Sequence, residues 1–564
     1  MKEELILKNI SLGIHMGHDR SVSVVCNGEL IGSLAAERID RNKHSISSKI
    51  PFETIDILLN YLCIDIYSIK YVGITYAAVK IDNLKQFYAE QLLEHYPNWD
   101  FEIIPVSHHL AHAASSYYTS CFDKALVFIA DGGGDLVNGY EEAESLYIAT
   151  RQNGIQLLEQ HLQTNAIHTL SREQFHLYPY MNEIYRTEQI SLAKKYEQIT
   201  YILGFGWNQS GKTMGLASYG KDLFPIKVPD ISSFQYDLSA EFLVKEIYQL
   251  YLSSGTTYQD YIAKNRENIA KTLQTFTETF VVNIIGYLLK KYQINHICLA
   301  GGLFLNCLLN HKILEKYSDV TLHICPAAGD DGQSIGAAYI AYQYFADKKL
   351  KKINTTSIPY LGISYSNQQI KEALEKRHIS YQYYENINDL CKIIASEIYN
   401  NKIIGFFTDR SEIGPRALCH RSILANATWD GMKDYINKKV KHRENFRPFA
   451  PVIMEEFEQQ YFNIKQDSPY MLLAPTVMPE YAPLIPSVVH VDQTARVQSV
   501  NKENNPFIYE LIKNFYELSG IPVLLNTSFN DNGEPIVETP QDAINTFLTT
   551  EIDILVLEHF IIYK

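Results

Sequence analysis

One pattern constrains this chain more than any other feature: an ordered set of strand and helix signals that occurs twice. In the first set, residues 9–15 read as a strand ending near Gly17-His18-Asp19. Ser21–Cys26 and Glu29–Ala35 read as two more strands, joined by Asn27-Gly28, a pair that accepts the positive φ of a two-residue hairpin. A helix follows, with Pro51 at its start and apolar positions through Leu62, then a strand at Tyr71–Thr75 and a helix from Leu84. The second set opens with strand Ala125–Ala130, strand Ser145–Thr150 and an Asn153-Gly154 hairpin into Ile155–Leu158. Helices near 194–203 and 268–290, strand His296–Ala300, a helix from Leu303, strand Thr321–Ile324 and a helix from Ser334 complete it. Each set reads βββαβα, so the chain is expected to fold into two similar α/β halves.

Two such halves resemble the actin/hexokinase superfamily, whose members hold a nucleotide between them, although a fold alone does not give a reaction. A second region begins after Asn354-Thr355-Thr356-Ser357-Ile358-Pro359. It alternates a helix near 367–377, a strand near 380–384, a helix near 387–400 and strand Ile403–Thr408. A helix near 505–517, strand Pro522–Asn526, a helix from Pro540 and strand-like Ile552–Ile562 end it. The expected domains are therefore residues 1–355 and 360–564, both α/β, in a chain of 564 residues that exceeds what one core supports.

A net charge of −14 argues against a large nucleic-acid footprint. The eight cysteines show no paired spacing, which fits reduced thiols in a cytosol and neither a disulfide framework nor a zinc knuckle. Met1-Lys2-Glu3-Glu4-Leu5 lacks the apolar core of a signal peptide. The longest apolar stretch, Phe280–Leu289, is too short to span a bilayer and contains Asn283 and Gly286. A cytoplasmic protein with no membrane partner is expected.

Chemistry concentrates first at His108-His109-Leu110-Ala111-His112, followed by small residues that favour a helix. Positions four apart share a helix face, so His108 and His112 point one way and His109 another. Such a pair is either a polar contact on a helix face or half of a site for Fe, Zn or Ni. Two carboxylates strengthen the second reading. The buried strand Leu126–Ala130 delivers Asp131 into Gly132-Gly133-Gly134, and Ile324–Ala328 leads to Gly329-Asp330-Asp331-Gly332. Both lie where a strand gives way to a glycine turn, the usual ligand edge of an open α/β sheet. Two imidazoles and two carboxylates with open positions describe a catalytic metal site at a cleft edge. Asp331 is read as a residue that simply opens the turn.

Cations gather in the second region. Arg416 follows a Gly414-Pro415 turn, Lys441, Arg443 and Arg447 precede Pro448-Phe449-Ala450-Pro451, and Arg496 lies in a strand-like segment. Leu524–Asn530 ends a buried strand in small hydroxyl residues, including Ser528. This combination suits a polyphosphate or another anion. A solvated basic face is the plainer reading, but Arg447 sits in an apolar run where a guanidinium needs a partner. There is no Walker-type glycine loop.

Motifs spread nearly end to end resemble the O-carbamoyltransferases, the family of the nodulation protein NodU and of the cephalosporin and tobramycin carbamoyltransferases. They are Gly17-His18-Asp19-Arg20-Ser21, Lys43-His44, the His108–His112 stretch, Gly211–Gly220, Gly301–Asn306, Gly414–Leu418, Lys441–Pro451 and Leu525–Asn530. The resemblance implies an N-terminal domain like the universal tRNA threonylcarbamoyl transferase and a C-terminal YrdC-like domain. It implies that the C-terminal domain forms carbamoyl adenylate from carbamoyl phosphate and ATP with Mg2+, releasing pyrophosphate. The N-terminal domain would then move the carbamoyl group to a hydroxyl of a small molecule or saccharide. Carried over, His108, His112, Asp131 and Asp330 are the Fe2+ ligands, with His18 and Lys43 beside them. Gly301, Gly302 and Asn306 form a nucleotide-cradling turn, and Arg416, Lys441, Arg447, Arg496 and Ser528 serve adenylation. A metal and cations can offset charge on the adenylate phosphate as the carbamoyl group departs.

The chain departs from the family at Asp409, where a glycine is usual before Arg410, and at Cys419-His420, where Gly-Asn is usual. These changes bear on anion or magnesium affinity at the adenylation site. Other readings are a tRNA threonylcarbamoylation enzyme with fused halves and a non-catalytic actin-like nucleotide scaffold. The acceptor pocket is expected in the loops between 155 and 265, and the oligomeric state is not legible. Because Pro359 makes the linker near 354–359 short and stiff, the two sites are expected to face one internal passage whose mouth is lined by arginine and lysine.

Overall fold

β1 (Ile10–Met16) forms the centre of the first sheet in the computed structural model, which describes residues 9–76, 84–164, 191–224, 226–234, 250–346 and 358–564 with single positions between. β2 (Ser21–Cys26) runs antiparallel to it, and β3 (Glu29–Ala35) returns along β2 through Asn27 and Gly28 at φ 50° and 79°. β4 (Tyr71–Tyr76) pairs with β1 in parallel and β5 (Glu102–Pro105) pairs with β4, giving the order β3-β2-β1-β4-β5.

The second sheet repeats this plan. β6 (Lys124–Ala130) is central, and β7 (Leu136–Val137) and β9 (Gly154–Thr164) both pair with β8 (Tyr140–Thr150). β8 runs antiparallel to β6, while β10 (His296–Ala300) and β11 (Thr321–Ile324) add in parallel. Reading β6 as the first strand, β9-β8-β6-β10-β11 is the same order as in the first half. The duplicated architecture expected from the sequence is therefore present.

The halves meet through two helices. His108–Tyr118 and Gln333–Tyr342 approach so closely that a Cβ on Gly336 would lie 1.9 Å from the Ala111 carbonyl oxygen. The second helix also lies directly on β1, where a Cβ on Gly13 would stand 1.9 Å from the Ser334 carbonyl oxygen. Small residues at these crossings let backbone pack on backbone. The N-terminal ends of both helices are thereby held at one point between the sheets.

The C-terminal domain carries one mixed sheet of β12 (Gln382–Tyr383), β13 (Ile404–Phe407), β14 (Arg421–Asn426), β15 (Ala450–Met454), β16 (Gln498–Val500), β17 (Val523–Ser528), β18 (Ile554–Leu557) and β19 (Phe560–Tyr563). Its order is β12-β19-β18-β13-β14-β17-β15-β16. The domains are joined along a seam. Arg410 donates to the carbonyls of Ile31 and Leu361, and Asn310 donates to that of Leu472. Gln466 closes the edge of β11 with two bonds to the Leu322 backbone. One apolar core runs through the seam, from Phe128 and Phe304 to Phe449 and Leu472. No helix among the described residues is long and apolar enough to cross a membrane.

Four expectations need correction. β5 was not anticipated. The helix expected from Leu303 is a short 3-10 turn, Gly302–Leu305, and the α-helix begins at Cys307, capped by Asn306. The strand near 380–384 shrinks to two residues, and Ile552–Ile562 splits into β18 and β19 at Glu558, where φ is 50°. Linker residues 354–357 and parts of the 155–265 loops lie outside the described residues.

The C-terminal core also fixes a pH dependence. Burial pushes the Glu458 carboxyl up to about 8, with Asp467 adding to it. Between its ordinary value of 4.5 and about 8, the folded chain keeps a proton that the unfolded chain has lost. Stability from this group is thus complete below that window and falls by about 1.4 kcal/mol per pH unit across it. Denaturant melts of Glu458→Gln from pH 5 to 8 are expected to lack this decline.

Candidate metal centre and anion site

Asp135 starts the metal centre by accepting the His108 backbone N–H at 3.0 Å, which fixes the first turn of its helix. His108 and His112 then project from the same face. Asp131 follows β6, and the Gly302 N–H holds its Oδ1 at 2.7 Å, turning Oδ2 toward His108 Nε2 at 3.1 Å and His112 Nε2 at 3.7 Å. Asp330 follows β11, with Oδ1 at 3.1 Å from His112 Nε2 and 3.5 Å from His108 Nε2. Four ligand atoms about 2.1 Å from a common centre in a tetrahedron stand about 3.4 Å apart, so this spacing fits one divalent ion.

The donor set fits as well. His108 Nδ1 lies 3.3 Å from the Tyr76 carbonyl, so a proton held there leaves the Nε2 lone pair for a metal. Two imidazoles and two carboxylates suit Fe2+ or another divalent transition metal. All four residues are buried, and the adjoining His18 side chain is about a third exposed. Burial of both carboxylates demands positive charge nearby. Although burial opposes it, the carboxylates raise His108 well above its ordinary value, while hydrogen bonds from the imidazoles hold Asp131 low.

A second group of side chains adjoins the quartet. His18 Nε2 stands 3.3 Å from Asp330 Oδ2, and its Nδ1 is 3.0 Å from Asp19 Oδ2. Asp19 Oδ1 is 2.7 Å from His44 Nδ1, so one carboxylate links two imidazoles. Asp330 and Asp19 push His18 up to about 9 against the effect of burial. His15, buried on β1 beneath them, is pushed down to about 3 chiefly by desolvation. Trp207 meets the rings of His18 and His44 edge-on, with centroids 5.4 and 5.2 Å away. Lys43 stands on the same loop, its ammonium weakened by desolvation and by Arg447 and Lys212.

Those neighbours belong to the anion site. Lys441 ends a π-helical turn, Asn437–Lys441, and is buried. Its Nζ donates to Asn530 Oδ1 at 2.7 Å, the Asn530 carbonyl at 2.9 Å and Ser528 Oγ at 3.3 Å. Burial, then Arg443, Arg447 and Lys43, bring it well below its ordinary value. Arg443 donates from Nε to Asn437 and stacks 4.4 Å over Phe449, and burial with Arg447 and Arg496 pushes it down to about 9. Arg416 is pushed to about 9 by burial and by Arg496, and Nε of both arginines lacks a hydrogen-bond partner. The nearest counter-charge to Arg447 is Glu444, 4.0 Å away and shared with Lys212. Cations that weaken one another over so little negative charge have the chemistry to take a polyanion.

The sequence-derived residues thus fall into two groups, with Lys43 between them. Gly301 has φ 99°, and a Cβ there would lie 2.3 Å from the Ala130 carbonyl oxygen, so this turn packs against the end of β6. Asn306 spends its side chain on the Leu309 N–H and on a reciprocal pair with Gln274. Asp331 is pushed up to about 8 by burial and by Asp19 and Glu37, outside the quartet. Asp409 accepts the Arg410 backbone N–H, and His420 stacks 3.7 Å from Tyr360 and bonds the Arg410 carbonyl. Sequence reasoning did not assign His15, Asp19, His44 or Gln333 to a site, and it read Arg443 only as one of the cations that suit an anion. Asp19 and His44 stood next to assigned residues, and that adjacency was the available signal.

Comparison with known proteins gives the family. The carbamoyltransferase N-terminus profile matches residues 98–339 and the carbamoyltransferase C-terminus profile matches residues 395–564. Nodulation protein NolNO of Sinorhizobium fredii is 31% identical over 97% of this chain and 79% of its own length. An uncharacterised Synechocystis protein is 30% identical over 97% of this chain and 95% of its own. Nodulation protein U of Rhizobium tropici is 34% identical over 48% of this chain and 45% of its own. Among solved structures, full-length HypF in its phosphate- and nucleotide-bound form is similar at a TM-score of 0.42 and 15% identity, over 62% of this chain and 57% of that one. On the strength of the two profiles and these nearly full-length relatives, the chain belongs to the carbamoyltransferase family and is a carbamoyltransferase enzyme.

Proposed function

We propose that this enzyme forms carbamoyl adenylate at the cationic site and passes its carbamoyl group to a hydroxyl at the metal centre. Carbamoyl phosphate, ATP and one water are consumed in the first step: water cleaves carbamoyl phosphate to carbamate and phosphate, and a carbamate oxygen attacks the ATP α-phosphorus, releasing pyrophosphate. The acceptor is a hydroxylated small molecule or saccharide. The observation that carries this reading is the closeness of the two sites: Lys43, next to His44 on the loop that faces Asp19, lies within electrostatic reach of Arg447 and Lys441 of the cation cluster.

In this reading Arg416, Arg443, Arg447, Arg496 and Lys441 bind the phosphates, with Mg2+ accompanying ATP. Ser528, at the end of β17, helps fix the Lys441 ammonium. His18, oriented by Asp19, carries a proton between the acceptor hydroxyl and the leaving AMP phosphate. A divalent ion such as Fe2+, held by His108, His112, Asp131 and Asp330, would supply Lewis-acid stabilisation of developing negative charge.

The test supplies carbamoyl phosphate labelled at the carbamoyl carbon, ATP and a panel of hydroxylated acceptors. Expected are AMP, pyrophosphate and one acceptor carrying the label by mass spectrometry. AMP release that does not depend on carbamoyl phosphate would overturn the adenylate step.

A further inference from the structure

The metal centre meets solvent at His18. The four candidate ligands are buried, whereas the His18 side chain is about a third exposed even though its Nε2 stands 3.3 Å from Asp330 Oδ2. Trp207 stands at this opening. It is 38% exposed, and its ring meets those of His18 and His44 at interplanar angles of 85° and 74°. Among the described residues no other ring and no cation lies against the indole.

The segment that carries Trp207 is anchored on both sides of it. Phe205 is buried and packs on Phe446 with ring centroids 6.0 Å apart. Further along, the Thr213 hydroxyl shares a hydrogen bond of 2.8 Å with that of Thr200. Asn208 takes a positive φ of 56°, and its side-chain nitrogen lies 2.9 Å from His44 Nδ1. Lys212 reaches Glu444, the carboxylate nearest Arg447, so the same segment runs from the metal centre to the anion site. Trp207 is thus held in place over the two imidazoles.

The groups beside the indole select what can rest on it. His18, His44 and Asn208 are polar, and Asp19 links the two imidazoles. A flat aromatic ligand would cover the indole but turn apolar edges toward these groups, leaving them without partners. An open-chain polyol would satisfy them but has no face to lay on the ring. A cyclic polyol offers both features, because its C–H bonds form an apolar face that suits the negative face of an aromatic ring while its hydroxyls project at the rim.

We propose that Trp207 is the platform for the acceptor, taking a cyclic polyol (a sugar or cyclitol ring) against its indole and directing one ring hydroxyl to His18 at the metal centre. This rests on the reading of the metal centre as the place of carbamoyl transfer, and it names the acceptor class for that site.

The test supplies carbamoyl adenylate to the full-length enzyme and compares myo-inositol and methyl glucoside with sorbitol, an open-chain polyol with as many hydroxyls as inositol. The wild type is expected to carbamoylate the cyclic polyols in preference to sorbitol. Trp207→Ala is expected to cut that preference roughly 10-fold, through KM and not kcat, the scale of one aromatic contact. Trp207→Phe, which keeps a flat ring, should retain most of it. An indole that only braces His18 and His44 predicts equal losses for cyclic and open-chain acceptors, expressed in kcat. That result overturns the proposal, as does an unchanged preference in Trp207→Ala. Binding is read separately from tryptophan emission in a Trp429→Phe background, where Trp207 is the one exposed indole because Trp99 is buried. Inositol or methyl glucoside should change that emission and sorbitol should not, and the absence of a response to either cyclic polyol overturns the proposal. A response without carbamoyl transfer to any acceptor would support the platform and refute the transfer reading, so the two failures are told apart.

Discussion

The double variant His108→Ala/His112→Ala is expected to lose bound metal and carbamoyl transfer together. Neither loss should be partial, because each imidazole supplies one of the four clustered ligand atoms. The burial of all four residues makes the structural consequence specific. Removing both rings leaves Asp131 and Asp330 facing each other with only the His18 imidazole, 3.3 Å from Asp330, to balance them, so one of the two carboxylates should take up a proton. The variant should therefore take up a proton on folding, and it should be less stable than the wild type by an amount that grows with pH. Metal analysis, transfer from supplied carbamoyl adenylate and melts at two pH values check this. Retention of both metal and transfer would show that the site has been misassigned.

Lys441→Ala, Arg447→Ala and Arg416→Ala are expected to block carbamoyl adenylate formation while sparing transfer from the pre-made adenylate. Each charge-assisted contact contributes about 1.5–3 kcal/mol, which corresponds to roughly 10- to 150-fold in rate. Mixing His108→Ala with Lys441→Ala adds a second readout. Each partner keeps one working site, so restored activity requires a hydrolysable mixed anhydride to cross solvent between molecules. Poor complementation at low concentration is expected, since sequestering a reactive intermediate avoids its loss to water. A mixture that matches the wild type at low concentration would eliminate an internal passage.

The repeated strand order was legible because β1, β2 and β3 carry regular apolar runs punctuated by Asn27-Gly28. β5 was not, because only Ile103 and Ile104 of its four residues are buried and no glycine separates it from the next helix. The split at Glu558 escaped notice for a related reason: a non-glycine residue takes positive φ there. In the site, His108 and His112 were visible from helical spacing and Asp131 and Asp330 from strand-end turns. Gln333, whose amide nitrogen lies 2.9 Å from Asp330 Oδ1, carried no such mark, since an amide at a helix start is ordinary until the fold brings 258 residues of separation to one hydrogen bond with Thr75. Arg443 showed in the sequence as one cation among several. Its special position depends on Phe449 and on the π-turn that redirects Lys441.

The apolar core that passes through the seam has a consequence for how this enzyme can be taken apart. Phe304 and Leu309 on one side and Phe449 and Leu472 on the other are all nearly or wholly inaccessible to solvent. Cutting the chain at the linker would uncover these surfaces on both fragments, and large exposed apolar patches drive association. The whole chain should melt in one cooperative transition, and either fragment made alone should aggregate unless its counterpart is present. Gene fusions that exchange only one of the two parts would have to carry the matching seam residues with them.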